Sequence, residues 1–440
     1  MSRSWSLAAL VCVVPLICGT VISASDLALA TDNEVVQWNK TLLTIVRTPG
    51  AQTPTIHPTR DFAIMHAAIY DAVNSIDGTH EPYLVRIERV SRHASQEAAA
   101  AEAAHDVLIV LFPSFMTLLD TQLGDSLGKI PEGPEKTAGI DVGHAVAQAT
   151  LTLRGDDGSA ALPIPYVFGT TPGSYQSTPP NFPKQPAFTH WSHVVPFALK
   201  TAQQFRPGPP PPLRSAEYST VYNEIKAIGI ANSTVATPDQ ALIGRFWNGA
   251  IQNYWNEITQ TVVSAHHLNT AQSARTFALL NLAFADSVIA FYDAKYTYNF
   301  WRPVTAIRGG ATDDNPQTTA DPNWLPQAGN TAPDPSYPGA HATISSAGAF
   351  VLSSVFRNRA LHVIVTSEVL PGVTRSFDSF SGIEREASLS RVYAGQHFRS
   401  DEVAGERLGR SVADFVVDNF LRRVGEDGHY GDDDRDGKEY

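Results

Sequence analysis

Cysteine is nearly absent: there are two in 440 residues, Cys12 and Cys18. Beyond residue 18 the chain can form neither a disulfide nor a thiolate metal site. Basic residues are also short, with 32 Lys and Arg against 44 Asp and Glu and a formal net charge of −12. That deficit argues against a nucleic-acid partner, since phosphate binding needs a basic face. It also makes any dense group of cations stand out. Strand signals are sparse, with no alternating runs joined by hairpin turns, and no repeat recurs at a fixed period. Apart from the N-terminus, no uninterrupted apolar run is long enough to span a membrane. The longest, "TFALLNLAFADSVIAFYDAKY", carries Asn281, Asp286 and Asp293 and reads as a buried helix of a bundle that is not integral to a membrane. What is present is ordinary for a globular protein: 43% hydrophobic and 17% charged residues.

The first thirty residues, "MSRSWSLAALVCVVPLICGTVISASDLALA", place Arg3 before a short apolar core and small residues near Ala24 and Ala28 to Ala30. This predicts a secretory signal peptide over 1–30, and hence an exported protein, periplasmic or extracellular. Helical patterning covers 60–77, 95–112, 133–154, 215–229, 237–262, 270–296, 340–357, 382–397 and 402–424. The fold class expected is all-α, a helical bundle with an N-terminal half over 31–200 and a C-terminal half over 213–424. Between them, residues 155–212 are rich in Pro, Gly and Ser. This stretch holds Tyr166, Phe168, Tyr175, Phe182, Phe188 and Trp191, too many aromatics for a free linker, so it should lie over the body, where it could cover a site. Residues 425–440 read as an acidic disordered tail. Asp432, Asp434, Asp436 and Gly437 match the start of a calcium loop, but its twelfth-position Glu would fall beyond Tyr440. His66, His190, His193, His266 and His267 lack zinc-ligand spacing and read as structural.

Three segments of the C-terminal half concentrate the chemistry. In "KYTYNFWRP", Lys295 and Arg302 are seven positions apart, which on a helix puts both on one face. Pro303 disfavours helix at Arg302, so the arginine marks a boundary where the chain can turn it inward. Phe300 and Trp301 read as core and Arg308 as a structural charge. In "PSYPGAHATISSAGAF", Pro338, Gly339 and Ala340 lead into a helix with His341 in its first turn. Exposed N–H groups there form an anion site that small residues leave open. In "SRVYAGQHFRSDEVAG", Arg391 precedes His397 by six and Asp401 follows it by four. A carboxylate one turn from an imidazole can orient it. Each segment alone is commonplace. Together they bring three cations and two imidazoles into one acidic chain, which is what a tetrahedral or trigonal-bipyramidal oxyanion requires.

The three segments resemble the signature of the vanadium-dependent haloperoxidase and type 2 phosphatidic acid phosphatase superfamily, nearest its soluble chloroperoxidase-like branch. Lys-x6-Arg-Pro is matched from Lys295 to Pro303. Ser-Arg-x5-His-x3-Asp is matched by Ser390, Arg391, His397 and Asp401. Pro-Ser-Gly-His is matched by Pro338 and His341, with Gly339 and Ala340 between them. The resemblance implies orthovanadate as cofactor, with neither haem nor flavin. It also implies that His397 bonds the vanadium, Lys295, Arg302 and Arg391 neutralise oxyanion oxygens, His341 is the acid–base group, and Asp401 orients His397. Backbone N–H groups at Gly339 and Ala340 would add contacts.

The activity implied is halide oxidation by hydrogen peroxide, bromide or iodide ahead of chloride. The alternatives are hydrolysis of a phosphate ester through a phosphohistidine at His397, as in a secreted acid phosphatase, and an inactive oxyanion-binding relative. Gly339 lacks the family's serine hydroxyl, a contact typically worth ~1.5–3 kcal/mol when it reaches a charged group. Tyr292 could supply one flanking aromatic, whereas Asp334 stands where a second would fall. Oligomeric state has no signal in the sequence.

Overall fold

The computed structural model describes residues 33–357 and 361–425. The segment read as a signal peptide and the acidic tail from residue 426 on, with its calcium-loop-like aspartates, lie outside the described residues. Among the described residues the N-terminal helices are α1 (Glu34–Arg47), α2 (Pro58–Asp77), α3 (Gln96–Leu111), α4 (Met116–Gly128) and α5 (Pro134–Arg154). After the Pro-rich stretch come α6 (Ala216–Ile228), α7 (Pro238–Phe246), α8 (Ile251–Ala265), α9 (Thr270–Tyr298) and α10 (Pro303–Arg308). The last three are α11 (Ala340–Phe356), α12 (Phe380–Tyr393) and α13 (Arg399–Asn419).

Among the described residues the fold is all-α apart from one short antiparallel ribbon, β1 (Val363–Thr366) with β2 (Thr374–Phe377), which the sequence reading did not contain. Four residues per strand are too few for alternation to register. The stretch 237–262, expected as one helix, is two, because α7 ends at Phe246 before "WNGA" and α8 restarts at Ile251. Helices α1 and α4 were not expected at all.

Several ends follow from local chemistry. Ser95 accepts from the Ala98 N–H at the start of α3. Gly78 closes α2 in the left-handed conformation at φ 64°. At the start of α9, Asn269 and Gln272 form a reciprocal capping box.

Helix α9 is the axis of the fold. Among the described residues it is the one helix by itself long and apolar enough to cross a membrane, yet 94% of its most apolar stretch is buried inside the protein. Its Asp286 carboxylate accepts from the N–H groups of Phe197, Ala198 and Leu199 at 2.6–2.7 Å. In this way α9 anchors residues 197–199 of the Pro-rich stretch by satisfying three consecutive donors. That stretch lies over the body, as its aromatics suggested: Tyr175 and Trp191 are buried, although Phe182 is exposed. It also reaches the region of Arg302. The Tyr175 N–H donates to the Asn299 carbonyl at 2.7 Å, and the Trp301 N–H donates to the Gly173 carbonyl at 3.0 Å. Phe300 and Trp301 sit in a second apolar cluster with Tyr218, Tyr222, Trp324 and Phe398, so both are core residues. Arg308 donates to the Trp324 carbonyl at 2.9 Å, a structural contact.

Helices α11 and α13 cross where two glycines of α13 face α11. A Cβ on Gly405 or Gly409 would overlap backbone carbonyls of Gly339 or Thr343. The absence of side chains there lets α13 bring its first turn against the start of α11.

Candidate active site

Lys295 comes from the last turn of α9 and is fully buried. The helix stops at Tyr298, and Asn299 takes a left-handed conformation at φ 49°. Arg302 is then extended at ψ 154°, immediately before Pro303 opens α10. The boundary at Arg302 is therefore as expected from the proline. The two-turns-on-one-face argument is not, because the helix ends between the two cations. What joins them is Asp334. Its carboxylate accepts from Arg302 Nη2 and lies 3.7 Å from Lys295 Nζ, while its backbone carbonyl accepts from Arg302 Nε at 2.8 Å. Burial lowers the Lys295 pKa to about 8, although Asp334 acts to raise it. Asp334, considered in the sequence only as a possible flank, is thus the buried counter-ion of both cations.

His397 and Asp401 lie at the start of α13, which begins at Arg399, so the imidazole is outside the helix. The expected helical pairing is consequently loose, with Nδ1 3.4 Å from Asp401 Oδ2. That carboxylate oxygen accepts more closely from Ser336 Oγ at 2.6 Å and from the Phe398 N–H at 3.0 Å. Ser336 was missed by the sequence reading, although it stands in the quoted "PSYPGAH". On its other side, His397 Nε2 is 2.9 Å from Arg302 Nη1. A guanidinium can only donate, so Nε2 is the acceptor and carries the lone pair. Burial and then the charges of Arg302, Lys295 and Arg391 hold the His397 pKa well below its ordinary value, which keeps the ring neutral. Burial raises Asp401 to about 6.

Arg391, near the end of α12, is 5% exposed. Nη1 donates to Asn248 Oδ1 at 3.0 Å, while Nε has no hydrogen-bond partner. Gly339 is the N-cap of α11, and Ala340 and His341 are its first two residues. The Gly339 N–H donates to the Asp401 carbonyl at 2.8 Å, so it is already used, contrary to the expectation that it faces an anion. His341 Nε2 donates to the Trp247 carbonyl at 3.0 Å. Desolvation and the Arg391 charge hold its pKa well below normal. Ala340 and His341 are partly exposed, whereas Lys295, Arg302, Arg391, His397 and Asp401 are buried. The α11 start is therefore the side of the cluster that reaches solvent. Tyr292 is buried against Phe188 and Tyr296.

The structure thus gathers the three cations, both histidines and Asp401 around the end of α9 and the starts of α11 and α13. It adds Asp334, Ser336 and Glu402, none of which the sequence reading assigned a role. Glu402 was adjacent to Asp401 in the text, but nothing about a Glu in a first helical turn distinguishes it from a surface residue.

Residues 275–426 match the model of the VCPO second helical-bundle domain. The crystal structure of a bacterial vanadium-dependent iodoperoxidase superposes with a TM-score of 0.73 at 25% identity, covering 89% of this chain and 96% of that one. The chain is therefore similar to the vanadium haloperoxidases, in its C-terminal helical bundle by sequence and over most of its length in fold. The vanadium chloroperoxidase of Curvularia inaequalis is 25% identical over 374 residues, 65% of this chain. The match spans 60% of that relative's length. A bacterial vanadium-dependent chloroperoxidase, at TM-score 0.65 and 16% identity over 88% of this chain and 97% of that one, shares the fold.

Proposed function

We propose that the protein is a vanadate-dependent haloperoxidase, oxidising bromide or iodide ahead of chloride with hydrogen peroxide. The observation that carries this reading is the His397 ring: neutral, buried, and presenting its Nε2 lone pair beside Arg302. An imidazole in that state is ready to act as a ligand. The donor set fits an oxyanion, since the buried Nε of Arg391 is unpartnered and two more cations lie close by. Lys295, Arg302 and Arg391 would hold orthovanadate by its oxygens and His397 would bind the metal. Bound vanadate would supply the activation of peroxide toward two-electron attack by halide. Asp401, held by Ser336, would orient His397 from the Nδ1 side. His341, at the exposed edge, would move protons between the site and solvent. Tyr292, buried against Phe188 and Tyr296, would be an aromatic flank of the site.

The test is halide- and peroxide-dependent halogenation of a phenolic dye after reconstitution with orthovanadate. Activity with bromide or iodide, absent in His397→Ala, is expected. Phosphate-ester hydrolysis inhibited by vanadate, with no halogenation, would replace the reading by the hydrolase one.

A further inference from the structure

Glu402 is 1% exposed, and neither of its carboxyl oxygens has a hydrogen-bond partner. The carboxyl lies against Gly339 at the start of α11. A Cβ built on Gly339 would overlap Glu402 Oε1 and stand 2.7 Å from Cδ and 2.9 Å from Oε2. Oε1 is also 3.9 Å from His397 Nδ1. The carboxyl therefore occupies the space of the missing 339 side chain, and a serine there would displace it.

A buried carboxyl with two unpartnered oxygens costs stability unless something bonds to it. Nearby Arg391, whose charge acts on Glu402, likewise leaves its buried Nε unpartnered. Such orphans on two neighbouring side chains are what a ligand-binding surface leaves when viewed by itself.

We propose that Glu402 is a direct hydrogen-bonding partner of the oxyanion bound at this site, its carboxyl standing where a side chain at position 339 would stand. The proposal rests on the oxyanion reading above. One hydrogen bridges a carboxyl oxygen and an oxygen of the anion, whichever of the two carries it, so the contact adds specificity for an anion that can share a proton. Position 402 is within the first turn of α13, three residues before Gly405. The close crossing of α11 and α13 therefore aims it at the start of α11.

The experiment is calorimetric titration of the purified chain with inorganic phosphate and with orthovanadate, alongside thermal melting without anion to establish folding. Glu402→Ala should bind both anions about ten- to hundredfold more weakly, the equivalent of one charge-assisted hydrogen bond. Glu402→Gln, which keeps a donor and an acceptor, should stay within about threefold of wild type. Gly339→Ser should weaken binding in the wild-type background and restore part of the loss in Glu402→Ala. Tighter binding in both Glu402 variants would overturn the proposal, because it would make the carboxylate a mere counter-charge to the cations. Unchanged affinity in Glu402→Ala would overturn it as well. Failure of the folded wild type to bind either anion would overturn the oxyanion reading and this proposal together.

Discussion

Gly409→Ala should loosen the one contact on which the geometry of the site most depends. Its new Cβ would overlap the Thr343 carbonyl oxygen, lie 2.8 Å from the carbonyl carbon and sit 3.1 Å from the Ala347 nitrogen. These are backbone atoms inside α11 and cannot rotate away, so α13 must move. Overpacking of this kind costs ~1–3 kcal/mol, with backbone clashes at the upper end. The better helix propensity of alanine returns ~0.5–1 kcal/mol, leaving a net loss of about 2 kcal/mol. Unfolding entropy near 2.1 cal/mol/K per residue over roughly 390 residues makes 1 kcal/mol worth about 1 °C. Calorimetry should therefore show Tm falling by about 2–3 °C. Phosphate affinity should fall with it, because α11 carries His341 and α13 carries Asp401 and Glu402. The control is Gly124→Ala in α4, where nothing lies within 4 Å of the new Cβ. The same chemical change there should raise Tm by about 1 °C. A Gly409→Ala protein melting at or above wild type would refute the account of how α11 and α13 meet.

Lys295, at about pKa 8, carries its charge below that pH and loses it above. Phosphate, a dianion from pH 8 to 10, should therefore bind more weakly across that range. Lys295→Met should bind about tenfold more weakly at pH 7 and lack the alkaline limb; a wild-type profile flat to pH 10 would contradict this. His66 is buried between Phe62 and Phe277, with Nε2 2.9 Å from Asn39 Oδ1 and Nδ1 unpartnered. Burial lowers its pKa to about 3, below the unfolded value, so between pH 6.5 and 3 the unfolded chain binds the extra proton. Stability should fall as pH drops through that window, by up to about 1.4 kcal/mol per unit. His66→Gln should flatten the acid limb of a Tm-versus-pH curve, and an unchanged limb would place the acid sensitivity elsewhere.

The all-α class and most helices were legible because long stretches keep the 3.6-residue period, with a cap residue such as Ser95 at a start. The short ribbon was not, since four-residue strands offer too little alternation. The cations and histidines of the site were legible as a set of residue types against an acidic background. How they connect was not. The link between Lys295 and Arg302 runs through Asp334, and the partner that holds Asp401 is Ser336. Both contacts cross between segments, where spacing along a helix says nothing. Glu402 shows the same limit more sharply. Gly339 could be read as a missing hydroxyl, but only the crossing of α11 and α13 reveals the carboxyl standing in its place.

The most direct measurement of the central claim is a titration of the purified chain with orthovanadate, followed by calorimetry and by the vanadium-51 resonance. One vanadate bound per chain, displaced by phosphate and lost in a folded His397→Ala, is the result the geometry predicts. Stoichiometric binding that survives His397→Ala, or none to the folded wild type, would contradict it.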